Sequence, residues 1–276
     1  MQIDQKWDYL RSLLTGMRGA VLAYSGGVDS SLLLKAASGI MGPNLIAVTA
    51  ISETYPPGEL EPAKQFAAAL EVRHLVLSTA ELAREEFARN APDRCFHCKS
   101  ELFSKLRQIA DSEGIAHILD GSNADDVHDY RPGRTAARDL AVRSPLAEAG
   151  LTKQDIRSLA RRMNMPMWDK PSLACLSSRI PYGTRITLDL LRNIQAAEDI
   201  VRAVGILQVR VRHHGDIARI EVAQEDLIRF SAAEIRKRIV AAFKELGYAY
   251  VCLDLEGYRS GSMNAVLEKK EAGTGR

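Results

Sequence analysis

The run YSGGVDSS, from Tyr24 to Ser31, places two glycines and three serines between an apolar strand-like segment and an apolar helical segment. Glycine lets the backbone approach an anion closely, and a helix that begins near Asp29 would present unpaired N–H groups to that anion. The run lacks the lysine that a Walker loop places before its Ser or Thr. It therefore predicts a site for a terminal diphosphate held as one unit, with a helix cap after a tight turn as the alternative. The candidate ligands are Ser25, Gly26, Gly27, Ser30 and Ser31.

Three cysteines form a second group of residues that could carry out chemistry. Cys95 and Cys98 make a CxxC pair at the expected start of a helix, and Cys175 lies in the segment KPSLACLSSRIPYGT. Two sulfurs at this spacing can share a metal, and a helix start favours thiolate. A zinc site would need four ligands, a redox pair would need a thioredoxin pattern, and three cysteines could hold an iron–sulfur cluster. A structural role for the pair stays open, and Cys252, in an apolar run, is expected in the core.

Two arginines form a third group. In LQVRVRHH, a strand would place Arg210 and Arg212 on one face, about 7 Å apart. Two guanidinium groups so placed can grip a phosphate. If IARIEV is the return strand, Arg219 and Glu221 flank the same polar face. The alternative is the solvated side of a half-buried sheet.

Alternating strands and helices must position the first two groups. The strand-like runs are Ala20–Ala23, Leu45–Ala50, His74–Leu77 and His117–Leu119. The helical stretches between them lie around Ser31–Ser38, Glu61–Leu70 and Lys99–Ser112. This order predicts βαβ units and a parallel sheet, whose ligands bind at the carboxyl ends of the strands. Ser52 and Gly121 follow two of those ends.

The alternation of single strands with helices ends after a proline-containing stretch at 165–187. A helix from Leu188 to Gly205, two alternating strands, a helix at Ala232–Leu246 and the strand-like AYVCLDL follow. We therefore expect an α/β fold with a doubly wound parallel sheet at 1–183. A smaller α+β domain is expected at 184–268, with a polar tail at 269–276.

The composition is typical of a soluble globular protein and does not indicate a membrane or nucleic-acid-binding protein. The chain has 276 residues, 46% hydrophobic and 26% charged, as soluble globular proteins have. Its net charge of +2 does not indicate a wide nucleic-acid surface. No apolar run approaches the roughly 20 residues of a membrane span, and MQIDQKWDYL lacks a signal-peptide core. We expect a cytoplasmic protein without membrane or nucleic-acid partners.

The run SGGVDSS after a strand resembles the PP-loop motif, SGGxDS, of the ATP pyrophosphatase superfamily. Its members include NAD synthetase, argininosuccinate synthetase and tRNA thiolation enzymes. The resemblance implies that ATP is cleaved between its α- and β-phosphates, with AMP passing to a substrate oxygen and pyrophosphate leaving into the loop. Asp29 would help to position Mg²⁺, and Ser52 and Gly121 would lie on the adenosine side.

Four sequence segments, in this order, point to one family within the superfamily. They are SGGVDSS, LDGSNADD–DYRPG, ACLSSRIPYGT and VRVRHHGDIARIE. Together they resemble the LarE family of ATP-dependent sulfur transferases, which build the nickel-pincer nucleotide cofactor. The resemblance implies that the carboxylates of pyridinium-3,5-biscarboxylic acid mononucleotide are adenylylated and converted to thiocarboxylates. In one branch of the family a cysteine gives up its own sulfur. In the other, three cysteines hold a 4Fe-4S cluster that carries an extra sulfide.

The resemblance also implies roles for individual residues. Cys95, Cys98 and Cys175 fit the cluster branch, although a sacrificial Cys175 stays open. The catalytic candidates are Cys175, Lys99 and Asp29. With the resemblance, the candidates for the substrate phosphate are Arg210 and Arg212, aided by Ser178 and Arg179. Arg131 is a further cationic candidate because it lies near a strand end. The candidates for a divalent cation are Asp29, Asp126 and Glu221, and capping of a helix or turn is the alternative role for Asp126. A mononucleotide substrate, a sulfide donor and further copies of the chain in a homo-oligomer are the expected partners.

Two other functions compete with this interpretation. A tRNA thiolation enzyme also joins a PP-loop to a three-cysteine cluster, but the small net charge and the lack of an RNA-binding appendage count against it. A nucleotide-binding regulator would bind ATP without turnover. Such a regulator would have no use for the three cysteines.

Overall fold

The computed structural model describes residues 1–55, 58–128, 133–171, 174–259 and 261–264. Contacts between residues divide the chain into two compact units. The first unit comprises Met1–Phe87 and Ala91–Leu173, and the second comprises Ala88–Asn90 and the chain from Ala174 onward. The contacts place the division after Leu173, whereas the sequence predicted a division after Gly183.

The first unit is built on a five-stranded parallel sheet with the strand order β3–β2–β1–β4–β5. Its strands are β1 (Ala20–Ala23), β2 (Leu45–Ile51), β3 (Arg73–Ser78), β4 (His117–Leu119) and β5 (Val142–Arg143). In the central strand, Val21 pairs with Ile46 on one side and with Ile118 on the other. The sequence predicted the first four strands and missed β5, because two residues are too few to show a period.

Helices cover both faces of this sheet. The helices of this part of the chain are α1 (Ile3–Thr15), α2 (Val28–Met41), α3 (Leu60–Ala69), α4 (Glu85–Ala88), α5 (Arg94–Ser112), α6 (Gly133–Asp139), α7 (Pro145–Glu148) and α8 (Lys153–Arg162). Ala20 and Leu22 of β1 pack into one apolar cluster with α2 and α8, whereas Val21 packs into another with Phe103 and Leu106 of α5. Successive side chains of a strand point to opposite faces. The predicted doubly wound α/β sheet is therefore confirmed.

The second unit contains a three-stranded mixed sheet in the order β6–β7–β8. Its elements are α9 (Leu188–Arg202), β6 (Val209–His214), β7 (Ile217–Val222), α10 (Ala233–Glu245) and β8 (Tyr250–Leu253). Strands β6 and β7 are antiparallel, and β7 and β8 are parallel. Val209, Val211 and Ile220 pack against Phe243 of α10, which confirms the smaller α+β unit. Among the helices of the described residues, none is both long enough and apolar enough to cross a membrane.

The expectation that Cys252 lies in the core is wrong, since its side chain is exposed. Strand β8 forms the edge of the small sheet, and exposure alternates along it. Val251 and Leu253 pack against the core, while Tyr250 and Cys252 face outward. The apolar composition of YVCL concealed this alternation, because both faces of the strand carry residues that are common in cores.

Candidate active site

The candidate phosphate loop lies between the end of β1 and the start of α2, at the carboxyl edge of the parallel sheet. Gly26 adopts a φ of 75°, a left-handed conformation that favours glycine. A Cβ atom at Gly26 would lie 2.9 Å from the Cβ of Ala63 in α3. The loop therefore needs glycine for its backbone conformation and for the close approach of α3.

The three serines of the loop occupy different environments. Ser25 is exposed, whereas Ser30 and Ser31 are buried. The backbone N–H of Ser25 donates to Ser30 Oγ at 3.3 Å, and Ser30 Oγ donates to the Gly27 carbonyl at 3.2 Å. The backbone N–H of Ser31 donates to the same carbonyl at 2.9 Å. The Ser30 hydroxyl thus shapes the loop, and Ser25 is the serine that faces solvent.

Asp29 lies in the first turn of α2, where a carboxylate favours the positive end of the helix dipole. Its Oδ2 forms an ion pair with Lys153 Nζ, and Asn123 Nδ2 donates to its Oδ1 at 3.4 Å. Lys153 begins α8, far along the chain, and it brings to the loop a cation that SGGVDSS lacks. Lys153 could not be predicted from the sequence, because no local pattern links it to the loop.

The segment after β4 packs directly against the start of α2. A Cβ atom at Gly121 would lie 3.0 Å from the backbone nitrogen of Ser30, so glycine permits this approach. The Asp126 carboxylate accepts a hydrogen bond from the backbone N–H of Asn123 at 3.0 Å. Asp126 therefore caps its own turn in this structure, and its role as a cation ligand stays a prediction. Arg131 lies outside the described residues.

A buried carboxylate, Glu81, connects the loop after β2 with the start of α5. Its Oε2 accepts from Ser52 Oγ at 2.8 Å and from Thr54 Oγ1 at 2.9 Å. Its Oε1 accepts from Thr79 Oγ1 and from Cys98 Sγ, both at 3.3 Å. Ser52 is therefore held by Glu81, beside one cysteine of the CxxC pair. No local pattern of the sequence indicates Glu81, because its partners come from separate elements.

The CxxC pair lies at the start of α5, as predicted. Cys95 is exposed, Cys98 is half-buried, and neither forms a disulfide. Residues three apart lie on one face of a helix, so both sulfurs can serve one ligand. Lys99 Nζ lies 5.1 Å from the ring centroid of Phe103. Across the described ranges, no three or more His, Cys, Asp or Glu side chains are grouped to hold a metal ion.

Cys175 belongs to the second unit and is exposed, directly before the short helix Leu176–Arg179. The buried Arg179 holds this segment, because its Nη1 donates to the carbonyls of Ala174 at 2.6 Å and Cys175 at 3.0 Å. Its Nε and Nη2 donate to the two carboxylate oxygens of Glu198 at 2.8 and 3.1 Å. The backbone that carries the candidate sulfur atom is therefore fixed by a bidentate ion pair.

Glu198 is fully buried on α9 and joins three elements of the second unit. Besides Arg179, it accepts from Arg202 Nη2 at 2.6 Å and from the backbone N–H of Val211 at 3.2 Å. Burial raises the pKa of Glu198, but Arg179 and the other guanidinium groups outweigh burial and hold that pKa below its usual range. Glu198 was not among the predicted site residues, although an acidic residue on the apolar face of α9 is a signal that can be read from the sequence.

Arg210 and Arg212 share a face of β6, as predicted, but that face is not the solvated side of the sheet. The two residues are only 4% and 5% exposed. Arg212 Nη2 donates to Glu221 Oε2 at 2.6 Å, and its Nη1 donates to the Ser178 carbonyl at 3.1 Å. Arg219 Nη2 donates to the other oxygen of Glu221 at 3.0 Å. Arginines therefore neutralise Glu221 in this structure, and its role as a cation ligand stays a prediction.

The buried charges of the second unit leave an excess of positive charge. Three guanidinium groups and two carboxylates are buried in its described part: Arg179, Arg210, Arg212, Glu198 and Glu221. Arg210 has its guanidinium carbon 5.2 Å from the ring centroid of Tyr258. Burial, and then the charge of Arg179, lower the pKa of Arg210 to about 10. An anion brought to this cluster would reduce the cost of burying that excess charge.

Two histidines at the end of β6 predict a loss of stability in mild acid. Burial lowers the pKa of His213, and burial together with the charge of Arg219 lowers the pKa of His214. The folded state then binds fewer protons than the unfolded state, so stability is lost as the pH falls through the ordinary histidine pKa. We expect the Tm to fall between about pH 7.5 and about pH 5.5, measured by circular dichroism. If H213Q/H214Q shows an equally steep profile, these histidines do not cause the loss.

Comparison with known proteins finds relatives that match almost the whole chain. An uncharacterised protein of Synechocystis is 41% identical over 267 residues, which are 97% of this chain and 100% of that protein. The pyridinium-3,5-bisthiocarboxylic acid mononucleotide synthase of Lactiplantibacillus plantarum is 37% identical over 266 residues, or 96% of each chain. The argininosuccinate synthase of Pyrococcus furiosus is 28% identical over 170 residues, which are 54% of this chain and 40% of that enzyme. No protein-family model matches the chain.

Proposed function

This chain belongs to the LarE family of sulfur transferases, and from that membership we propose that it acts in nickel-pincer cofactor biosynthesis. The proposed reaction adenylylates the carboxylates of pyridinium-3,5-biscarboxylic acid mononucleotide and converts them to thiocarboxylates, with release of AMP and pyrophosphate. The observation that carries the proposal is the 37% identity to a named synthase over 96% of both chains. The glycine loop between β1 and α2 supports it independently, because that loop is built to bind an anion.

The first step is the transfer of AMP to a carboxylate oxygen of the substrate. The phosphate loop would hold the β- and γ-phosphates with the backbone N–H groups at the start of α2, which lie where the charge of the leaving group develops. Asp29 is suited to bind Mg²⁺, because its partly exposed carboxylate lies beside the phosphate loop. The ion, when bound, would offset the phosphate charge. Lys153 would add an ammonium group to the same edge of the loop.

The second step is the attack of sulfur on the adenylylated carboxyl carbon. The proposed thiolate ligands are Cys95, Cys98 and Cys175, because none of them forms a disulfide and the first two lie one helical turn apart on α5. A 4Fe-4S cluster held by them would supply the extra sulfide. Glu81 accepts the Cys98 thiol hydrogen bond, so its carboxylate can take the proton when Cys98 becomes a thiolate.

The phosphate of the mononucleotide would bind in the second unit. Arg210 and Arg212 contribute to a buried excess of positive charge there, and Ser178 accepts from Arg212 through its carbonyl. Phosphate oxygens accept charge-assisted hydrogen bonds from guanidinium groups. Arg179 holds the backbone of Cys175 and extends the same cluster, so the substrate phosphate would be bound by the group of residues that fixes the candidate sulfur position.

The test is anaerobic incubation of the full chain with ATP, Mg²⁺, sulfide and the pyridinium mononucleotide. We expect AMP and pyrophosphate in the nucleotide analysis, and a mononucleotide in which sulfur replaces oxygen in the mass spectrum. ADP with orthophosphate would contradict the proposed cleavage. Thiolation of tRNA in a parallel reaction, without thiolation of the mononucleotide, would instead support the alternative enzyme class.

The source of sulfur needs a separate measurement. We expect the anaerobic protein to be brown and to contain iron, with an unchanged mass of Cys175 after turnover. A colourless, iron-free protein that still transfers sulfur would contradict the cluster. Loss of H₂S from Cys175 would show that this residue gives up its own sulfur. A homo-oligomer, a cytoplasmic location and a sulfide donor remain proposals drawn from the family.

A further inference from the structure

A basic groove lies along α8 in the first unit. Its volume is about 390 Å³, and its lining residues are Lys153, Gln154, Arg157, Ser158, Arg161 and Trp168. The three cationic residues are spaced four apart on α8, so they share one face of the helix at intervals of about 6 Å. We call this feature the α8 groove. It combines three positive charges with one aromatic wall.

The two arginines of the α8 groove have no carboxylate partner among the described residues. Within the part of the chain that the structure describes, no Asp or Glu lies within ion-pair distance of Arg157 or Arg161. Arg157 Nη2 donates to the Lys170 carbonyl at 3.2 Å, and its buried Nε has no acceptor among the residues that the structure describes. Arg161 lies over the indole of Trp168, 5.0 Å from the ring centroid. The positive charges of the two guanidinium groups are therefore not neutralised by any carboxylate of the described residues, and an anion in the groove could pair with them.

Lys153 connects the α8 groove with the phosphate loop. Lys153 is one of the residues that line the groove, and its ammonium group forms the ion pair with Asp29 in the first turn of α2. Positive side chains therefore continue from the edge of the loop along α8. An anion that leaves the loop on this side meets Lys153 first and Arg157 next.

We propose that the α8 groove binds inorganic pyrophosphate, the product that the proposed function releases into the phosphate loop. The inference rests on that function for the origin of the ligand. The two phosphoryl groups of pyrophosphate can accept from cations one helical turn apart, and a guanidinium group binds phosphate oxygens in a bidentate manner. The groove gives the leaving group a second site, which separates it from the adenylylated substrate and opposes the reverse reaction.

The dimensions of the α8 groove favour a small polyanion over RNA. The cations follow a single helix, and the chain as a whole carries a net charge of only +2. RNA binding relies on many phosphate contacts spread over a wide basic surface. A diphosphate needs only the two or three contacts that α8 offers.

Trp168 provides a direct readout of the α8 groove. The chain contains two tryptophans, Trp7 in α1 and Trp168, so W7F leaves the groove residue as the sole indole. We expect titration of the full-length W7F protein with inorganic pyrophosphate to give a saturable change in fluorescence. Arg157→Gln in this background should weaken binding about tenfold or more, because a charge-assisted contact is lost.

Arg162 offers a matched control on the same helix. It pairs with Asp4 at 2.9 Å, is exposed and does not line the α8 groove. Arg162→Gln should leave the pyrophosphate affinity of the W7F protein within about twofold of its starting value. Equal weakening by R157Q and R162Q would overturn the proposal, because it would show a general charge effect.

Three further outcomes would overturn the proposal. They are the absence of any change in Trp168 fluorescence, an equal affinity for orthophosphate, and a response to tRNA without one to pyrophosphate. The titration requires no turnover. A protein that binds pyrophosphate in the groove but makes no AMP would therefore count against the proposed function and not against the groove.

Discussion

Replacing Gly26 with alanine is expected to lower ATP-to-AMP turnover by about 100-fold or more. Gly26 adopts a φ of 75°, and a Cβ atom there would lie 2.9 Å from the Cβ of Ala63. The backbone must therefore shift, which moves the N–H groups at the start of α2 away from the leaving phosphates. Donors displaced by about 1 Å lose most of their catalytic effect. Chromatographic measurement of AMP formation checks the prediction, with circular dichroism to show that the fold is retained.

Gly39 provides the matched control in the same helix. It lies inside α2, and a Cβ atom there would have no atom of the described residues within 4 Å, apart from its own helix backbone and chain neighbours. Gly39→Ala should leave turnover unchanged and raise the free energy of unfolding by about 1 kcal/mol, because alanine favours helix. Wild-type turnover in G26A, together with a normal fold, would show that the loop does not position the phosphates as proposed.

Replacing Glu198 with glutamine is expected to lower the free energy of unfolding by about 3 kcal/mol or more. Glu198 is fully buried and forms a bidentate ion pair with Arg179, which is itself buried. The neutral amide would leave the Arg179 guanidinium without a compensating charge away from water. Urea unfolding, followed by circular dichroism, measures the loss.

Asp199 is the neighbouring control. It also pairs with Arg202, at 2.7 Å, but its side chain is 59% exposed. Asp199→Asn should lower the free energy of unfolding by no more than about 1 kcal/mol, since solvent screens an exposed pair. If E198Q and D199N lower the free energy of unfolding equally, the buried pair has no special role. Glu198 also affects the segment that carries Cys175, because it orients Arg179 and Arg179 donates to the carbonyl of Cys175. Alkylation of Cys175 should therefore be faster in folded E198Q than in folded D199N.

The amino-acid sequence was sufficient to predict features that depend on neighbouring residues. The glycine loop, the CxxC pair at a helix start and the shared face of Arg210 and Arg212 all follow from local spacing. Strand and helix periods are also local, so the doubly wound sheet and the smaller α+β unit could be predicted. The two-residue strand β5 and the outward face of Cys252 could not, because the first is too short for a period and the second depends on the position of a strand within its sheet.

Only the tertiary structure determined which polar and charged side chains contact one another. Lys153 reaches Asp29 from the start of another helix, Glu81 reaches Cys98 from another element, and both contacts depend on how α2, α5 and α8 pack around the sheet. The burial of Arg210 is likewise a property of the folded unit. A sequence pattern records spacing along one element. Pairing between charges distant in the chain depends instead on the distances and the loss of solvent that folding produces.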